Sequence, residues 1–216
     1  MPKSKICIRK ICFSVETVKR LSLYLRDLRK LAKKKIQFIS SNKITQLLNI
    51  SPAQFRKDLS YFGEFGKRGV GYEVEKLIKK LEEILGINKE WRIAVVGVGR
   101  LGSALLRFEG FSKFNIKIKT AFDIDKKKIG KVINGIKIED VGNLERVIKK
   151  EKIKLSLICT PPQVAQDITN RLVSAGIRGI LNFAPVALKV ANNVFISNVD
   201  MACELEQLIF LLNNER

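Results

Sequence analysis

The chain has 216 residues, room for one large domain or two small ones. Hydrophobic residues make up 46% and charged residues 29%, the composition of a soluble globular protein. No apolar run approaches the roughly 18 residues needed to span a bilayer. The alternation of Lys3, Lys5, Arg9 and Lys10 with apolar residues lacks the continuous stretch and cleavage site of a secretory signal, so the cytoplasm is expected.

The formal net charge is +20, unevenly spread: residues 1–72 hold 17 Lys/Arg against 4 Asp/Glu, and residues 73–216 hold 24 against 17. Positive charge concentrated in one third of a chain points to a module that faces a polyanion. Cys7, Cys12, Cys159 and Cys203 show no paired framework, which agrees with a reducing compartment. With no histidine and no ligand spacing, no metal site is expected.

From Val15 to about Lys35, apolar residues at Val15, Val18, Leu21, Leu25, Leu28, Leu31 and Ala32 recur at three and four, predicting an amphipathic helix capped by Ser14 or Thr17. Ile36–Ser40 is β-prone. Ser41 is the expected N-cap of a second helix, which turns Ile44, Leu47 and Leu48 inward. Asn49-Ile50 breaks the pattern. Ser51-Pro52 restarts it, because proline lacks the N–H that goes unpaired at the first helical position.

This third helix reaches about Phe62, and the pair has the spacing of a helix-turn-helix. Gly63–Tyr72 holds four glycines with Lys67 and Arg68, and predicts a short ribbon with cations at its tip. Together these elements make a winged helix. Gln54, Arg56 and Lys57 lie where a recognition helix reaches bases and phosphates, with Ser51 and Tyr61 at its two ends. Lys67 and Arg68 suit the adjacent backbone or minor groove. Tyr61, Phe62 and Phe65 suit local core better than stacking. Val74–Leu85 is a further amphipathic helix, stopped by Gly86.

Beyond a linker at Ile87–Trp91, Ile93–Val96 is a run typical of a strand buried on both faces. Gly97-Val98-Gly99-Arg100-Leu101-Gly102 follows, with a helix to about Phe111, then a strand at Ile116–Phe122 that ends at Asp123. Strands at Leu155–Cys159 and Gly179–Phe183 alternate with helices at Leu144–Lys150 and Val164–Ala175, which predicts a Rossmann-like, doubly wound parallel sheet. The fold class is α/β: a winged-helix domain over 1–86, a Rossmann domain over 87–198 and a C-terminal helix over 199–216, with Val199–Asn213 amphipathic.

In this context the glycines fit a dinucleotide. Gly97 permits the tight turn, Gly99 admits the pyrophosphate, and Gly102 lets helix and strand pack closely. Asp123, 21 residues beyond Gly102, is placed to accept from the adenosine ribose and to repel a 2′-phosphate, favouring NAD(H). Lys126, Lys127 and Lys128 could offset that repulsion, but read as a solvated loop. Cys159 reads as a small residue that ends a buried strand. No histidine or recognisable dyad offers proton transfer, so binding without turnover is expected. An NAD-dependent oxidoreductase and a coenzyme A-binding regulator are the alternatives.

Gln54–Tyr72 (QFRKDLSYFGEFGKRGVGY) resembles the signature of the Rex redox-sensing repressors, as do Ala121–Asp125 (AFDID) and Gly179–Pro185 (GILNFAP). The similarity runs from about Val15 onward. It implies a homodimer that binds palindromic double-stranded operator DNA when NADH is low and releases it when NADH binds, with NAD competing for the pocket. It also implies a C-terminal helix exchanged with the partner subunit.

Carried over from the resemblance, Ile124, Thr160, Pro161, Asn182, Phe183, Ala184 and Met201 join the cofactor set. Arg20 and Asp200 match a pair that engages between subunits in one ligation state. Phe108 stands where the family often has tyrosine, Met201 where many members have phenylalanine, and Thr160-Pro161-Pro162 differs from the commoner TVPA.

Overall fold

The computed structural model describes residues 5–8, 11–46, 48–67 and 69–215. The chain divides between Lys89 and Glu90 into two compact units. In the first, β1 (Lys5–Ile8) and β2 (Ile11–Ser14) form an antiparallel hairpin that helical periodicity does not reveal. The hairpin register sets Cys12 opposite Cys7, and Cys12 is disulfide-bonded. This corrects the expectation of four unpaired cysteines, since strand register is invisible to sequence spacing. Cys159 and Cys203 are free.

Ser14 Oγ accepts the Thr17 N–H at 3.1 Å and starts α1 (Val15–Lys33), which buries Leu21, Tyr24, Leu25 and Leu28. β3 (Phe38–Ile39) leads to α2 (Ser41–Gln46). Here Ser40, one residue before the expected cap, accepts the Lys43 N–H at 3.3 Å. Asn49 takes a left-handed turn (φ 50°), and α3 (Pro52–Ser60) begins behind Ser51, whose Oγ accepts the Gln54 N–H at 3.1 Å.

β4 (Gly66–Lys67) and β5 (Gly71–Glu73) form the wing, joined to β3 in the order β3-β5-β4. Arg68, the second expected wing cation, lies outside the described residues. α4 (Val74–Leu85) packs on α1 and ends at Gly86, φ 69°.

The second unit runs β6 (Trp91–Val96), α5 (Arg100–Leu106), β7 (Ile116–Asp123), β8 (Val132–Ile133), β9 (Ile136–Asp140), α6 (Leu144–Lys150) and β10 (Leu155–Ile158), then α7 (Pro162–Ser174), β11 (Gly179–Asn182), β12 (Phe195–Asn198) and α8 (Met201–Asn213). Its seven strands lie in the order β12-β11-β10-β6-β7-β9-β8, all parallel except β8 against β9. The doubly wound sheet is the one expected, extended by three strands that carry no apolar run of their own. α5 stops at Leu106, short of the expected Phe111, and a 3-10 turn at Glu109–Phe114 follows.

One sheet face buries Ala94, Val96, Phe122 and Ile158 against Leu144, Ile148 and Leu172 of α6 and α7. The other buries Ile93, Val95, Ala121 and Leu157 with Leu106. A bidentate Arg171–Glu145 pair (2.6 and 2.8 Å) ties α7 to α6 and holds the Glu145 carboxyl down at about 2. α8 leaves Leu205, Leu208, Ile209, Phe210, Leu211 and Leu212 exposed in the single chain. No helix among the described residues is long and apolar enough to cross a membrane.

The first unit closes around a carboxylate. Asp58 on α3 is fully buried and accepts from Arg20 Nε (2.6 Å) and Nη2 (2.8 Å), Tyr24 Oη (2.6 Å) and Gln54 Nε2 (2.8 Å). Burial alone pushes its pKa up. The donors outweigh burial and hold the carboxyl below its ordinary range. Burial and Asp58 together push the Tyr24 hydroxyl up, so it stays a donor.

Asp58→Ala removes the acceptor and strands a half-buried guanidinium and a buried hydroxyl. It is expected to cost about 3 kcal/mol in urea unfolding at neutral pH. A depressed carboxylate stabilises the fold above its unfolded pKa of about 4, and that stability is lost as pH falls through the lower folded value. The difference between wild type and variant should therefore narrow on acidification.

Candidate functional site

The parallel register aligns the C-terminal ends of four neighbouring strands. Val96 pairs with Phe122 and Ile158, and Ile158 with Asn182. This brings Gly97–Gly102, Asp123–Ile124, Thr160–Pro161 and Phe183–Ala184 to one edge of the sheet. Val199 N–H donates to the Asn182 carbonyl at 2.8 Å, so Asp200 and Met201 leave from that edge too.

Gly97 has φ +93°, and a Cβ there would lie 2.6 Å from the Cys159 carbonyl oxygen. A Cβ on Gly102 would collide with the Gly97 carbonyl, whereas one on Gly99 would meet nothing within 4 Å. Two glycines are thus required by backbone packed on backbone. Gly99 faces open space, the shape of a cradle for a phosphate-bearing ligand. Val98 is buried beneath the turn, while Arg100 is exposed and Leu101 partly so.

Asp123 is 8% exposed. Its Oδ2 accepts the Val98 N–H at 2.8 Å and pairs with Lys128 Nζ at 3.2 Å, and its Oδ1 accepts the Asp125 N–H at 2.9 Å. Burial pushes this carboxyl up, but the two backbone donors and Lys128 hold it below the usual range. The carboxylate therefore staples the glycine turn to β7, and most of its accepting capacity is spent within the protein. Lys128 is correspondingly an ion-pair partner and departs from the solvated loop expected of residues 126–128. Ile124, 81% exposed, stands open beside the cradle.

Thr160 Oγ1 is a buried hydroxyl with no partner at this edge, and Pro161 next to it is exposed. Asn182, expected to hold cofactor, is fully buried. Its Nδ2 lies 3.0 Å from the Ala184 and Val186 carbonyls and from Asn198 Oδ1, and its Oδ1 accepts the Ala184 N–H. Its side chain shapes the turn carrying Phe183 and Ala184. Asp200 caps α8, accepting from the N–H groups of Ala202 (3.0 Å) and Cys203 (3.2 Å), and Met201 is exposed. Phe108, also exposed, packs edge-on against Phe111. Burial pushes the Cys159 thiol up to about 12, so it carries no thiolate at neutral pH.

In the first unit, Ser51, Arg56 and Lys57 are exposed on α3, and Lys67 is exposed on the wing. Arg56 Nη1 donates to Ser41 Oγ at 2.9 Å, pinning the guanidinium to the start of α2. Tyr61 is half-buried, 6.0 Å from the Phe13 ring, on the core side as its aromatic character suggests. Gln54 departs from its expected place at the base edges: its amide is turned to Asp58. Arg20 is likewise held by Asp58 in the single chain. Asp58 is the residue that sequence reading missed. The signal is its spacing, three and one residues from Phe55 and Leu59 on the buried face of α3.

Residues 13–60 match the family model described as "Putative DNA-binding protein N-terminus", and residues 88–186 match "CoA binding domain". The redox-sensing transcriptional repressor Rex of Syntrophobacter fumaroxidans is 46% identical over 198 residues, 91% of this chain and 94% of that protein. The Rex of Roseiflexus sp. is 43% identical over 195 residues, 90% of this chain and 89% of its own.

Among solved structures, RSP in complex with beta-NAD+ and operator DNA is similar with a TM-score of 0.90 at 36% identity, covering 93% of both chains. RSP in complex with beta-NADH gives a TM-score of 0.83 at 34% identity, covering 93% of this chain and 94% of the other. Similarity of this extent over nine-tenths of the chain has one meaning: the chain belongs to the Rex family of redox-sensing transcriptional repressors.

Proposed function

We propose that this chain is a homodimeric repressor, working in the cytoplasm, that binds palindromic operators when NADH is low and releases them when NADH binds. The carrying observation is that one chain holds both halves of such a switch. One unit presents Arg56, Lys57 and Lys67 beside a helix-turn-helix and wing, and the other presents a glycine cradle with Gly99 facing open space. The complexes of RSP with operator DNA and with either cofactor support the same reading. The cofactor set is then Gly97–Gly102, Ile124, Thr160, Pro161, Phe183, Ala184 and Met201, with Asp123 and Asn182 holding the turns beneath. When bound, the dinucleotide supplies a reversible two-electron couple that the protein reads and does not turn over.

Operator affinity titrated with NADH and NAD at fixed salt tests this, because phosphate contacts make the affinity salt-dependent. NADH is expected to weaken operator binding about tenfold or more, a coupling of about 1.4 kcal/mol or above. By linkage, operator must weaken NADH binding by the same factor. Unchanged DNA affinity at saturating NADH would defeat the proposal. The match of residues 88–186 to a CoA binding domain favours one second reading, an acyl-coenzyme A effector. A thermal-shift comparison of NADH with acetyl-coenzyme A separates the two.

The glycines give an internal control. Gly99→Ala adds a methyl to open space, so melting should stay within about 1 °C of wild type, a shift well under 0.5 kcal/mol. NADH and NAD binding should both fall, about tenfold, since the methyl occupies ligand volume. Gly102→Ala drives a methyl into the Gly97 carbonyl and should instead cost about 3 kcal/mol of stability. Equal stability loss in the two variants, read by calorimetry, would remove the cradle argument.

A further inference from the structure

We infer that Ala53 reads a thymine methyl group in the operator, at the start of α3 where sequence spacing places Gln54. The inference rests on the operator-binding reading above. A recognition helix presents one face to the groove, and burial decides which face of α3 is free. Phe55, Asp58 and Leu59 face the core. The outward ladder at three- and four-residue spacing is therefore Ala53, Arg56, Lys57 and Ser60, all exposed.

Gln54 falls off this ladder. It is half-buried, and its amide nitrogen donates to Asp58 Oδ1 at 2.8 Å. Along the ladder the chemistry is graded. Ser60 donates its one hydroxyl hydrogen back to the Lys57 carbonyl at 2.8 Å, and Arg56 is steadied by Ser41. Ala53 stands in the first turn, the end from which recognition helices meet base edges. Its side chain is a single methyl with nothing to donate or accept. The apolar feature of the major-groove floor that complements it is the 5-methyl of thymine.

The test uses the intact protein and a duplex that it selects from a randomised pool, without NADH and at fixed salt. Each thymine of one half-site is replaced in turn by uracil, which removes one methyl and leaves pairing intact. At one position the replacement should weaken wild-type binding about fourfold, the worth of one buried methyl. Ala53→Gly should bind thymine and uracil equally there, while Gln54→Ala should keep the wild-type preference.

Each variant is compared with itself on two duplexes, so any loss of helix stability cancels. The inference is overturned if no position responds, or if Gln54→Ala abolishes the response and Ala53→Gly retains it. Failure to select any duplex would overturn the operator reading together with this inference. A selected duplex with the wrong pattern overturns this inference alone.

Discussion

A carboxylate taken out of water costs several kcal/mol unless donors replace the solvent it loses. At Asp58 those donors come from two helices: Arg20 and Tyr24 on α1, and Gln54 one turn back on α3. Satisfying them leaves little freedom in how α3 rolls against α1. Tyr24 meets Phe55 edge-on at 4.8 Å beside the same carboxylate, so the polar and apolar contacts demand one orientation. The outward face of α3 is what remains. Its cations point to solvent because its one acidic residue points inward.

The second unit depends on close approach of backbones and not on a charge. The glycine turn lies against the end of β10, where Gly97 meets Cys159, and against the start of α5, where Gly102 meets Gly97. Asp123 then spends its carboxylate on the Val98 N–H and fixes the turn to the neighbouring strand. The two units share an economy in which their prominent carboxylates organise protein first. What each leaves exposed is a surface of donors: cations on α3 and the wing, and a backbone turn at the sheet edge. Both suit phosphate.

Elements with strong periodicity were open to sequence reading, and so were turns with stereochemical demands. The α1 stripe, the Ser51-Pro52 start and the strand–glycine–helix unit follow from side-chain spacing and backbone limits alone. Short strands were not, because β8 and β12 carry too few apolar residues and owe their place to neighbours in the sheet. The pairing of Cys12 depends on hairpin register in the same way. At the sites, residue types were readable but side-chain directions were not. Gln54, Asp123 and Asn182 all looked like ligand contacts, and all three turned to protein partners. Polar groups near a cleft are wanted by the fold as well as by the ligand, and only geometry tells which claim is met.

This division bears on how a redox state can be sensed. NAD and NADH share the adenosine, both riboses and the pyrophosphate, so a glycine cradle binds them alike. A group that binds two ligands equally shifts no equilibrium, however tightly it holds them. On the proposed reading, discrimination has to arise where the two forms differ, at a nicotinamide ring that is cationic and aromatic in one and neutral and puckered in the other.

On the same reading, Thr160, Phe183 and Met201 are the members of the proposed cofactor set placed to respond there. Thr160 keeps a buried hydroxyl without a partner, and Phe183 stands on the turn that Asn182 shapes. Met201 stands at the head of α8, directly after the Asp200 cap. A thioether at that position reports ring charge weakly by comparison with an aromatic face, which attracts a cation through its quadrupole. On the proposed reading, Met201 in place of the phenylalanine of many members would remove an attraction specific to NAD and leave apolar contact that both forms share.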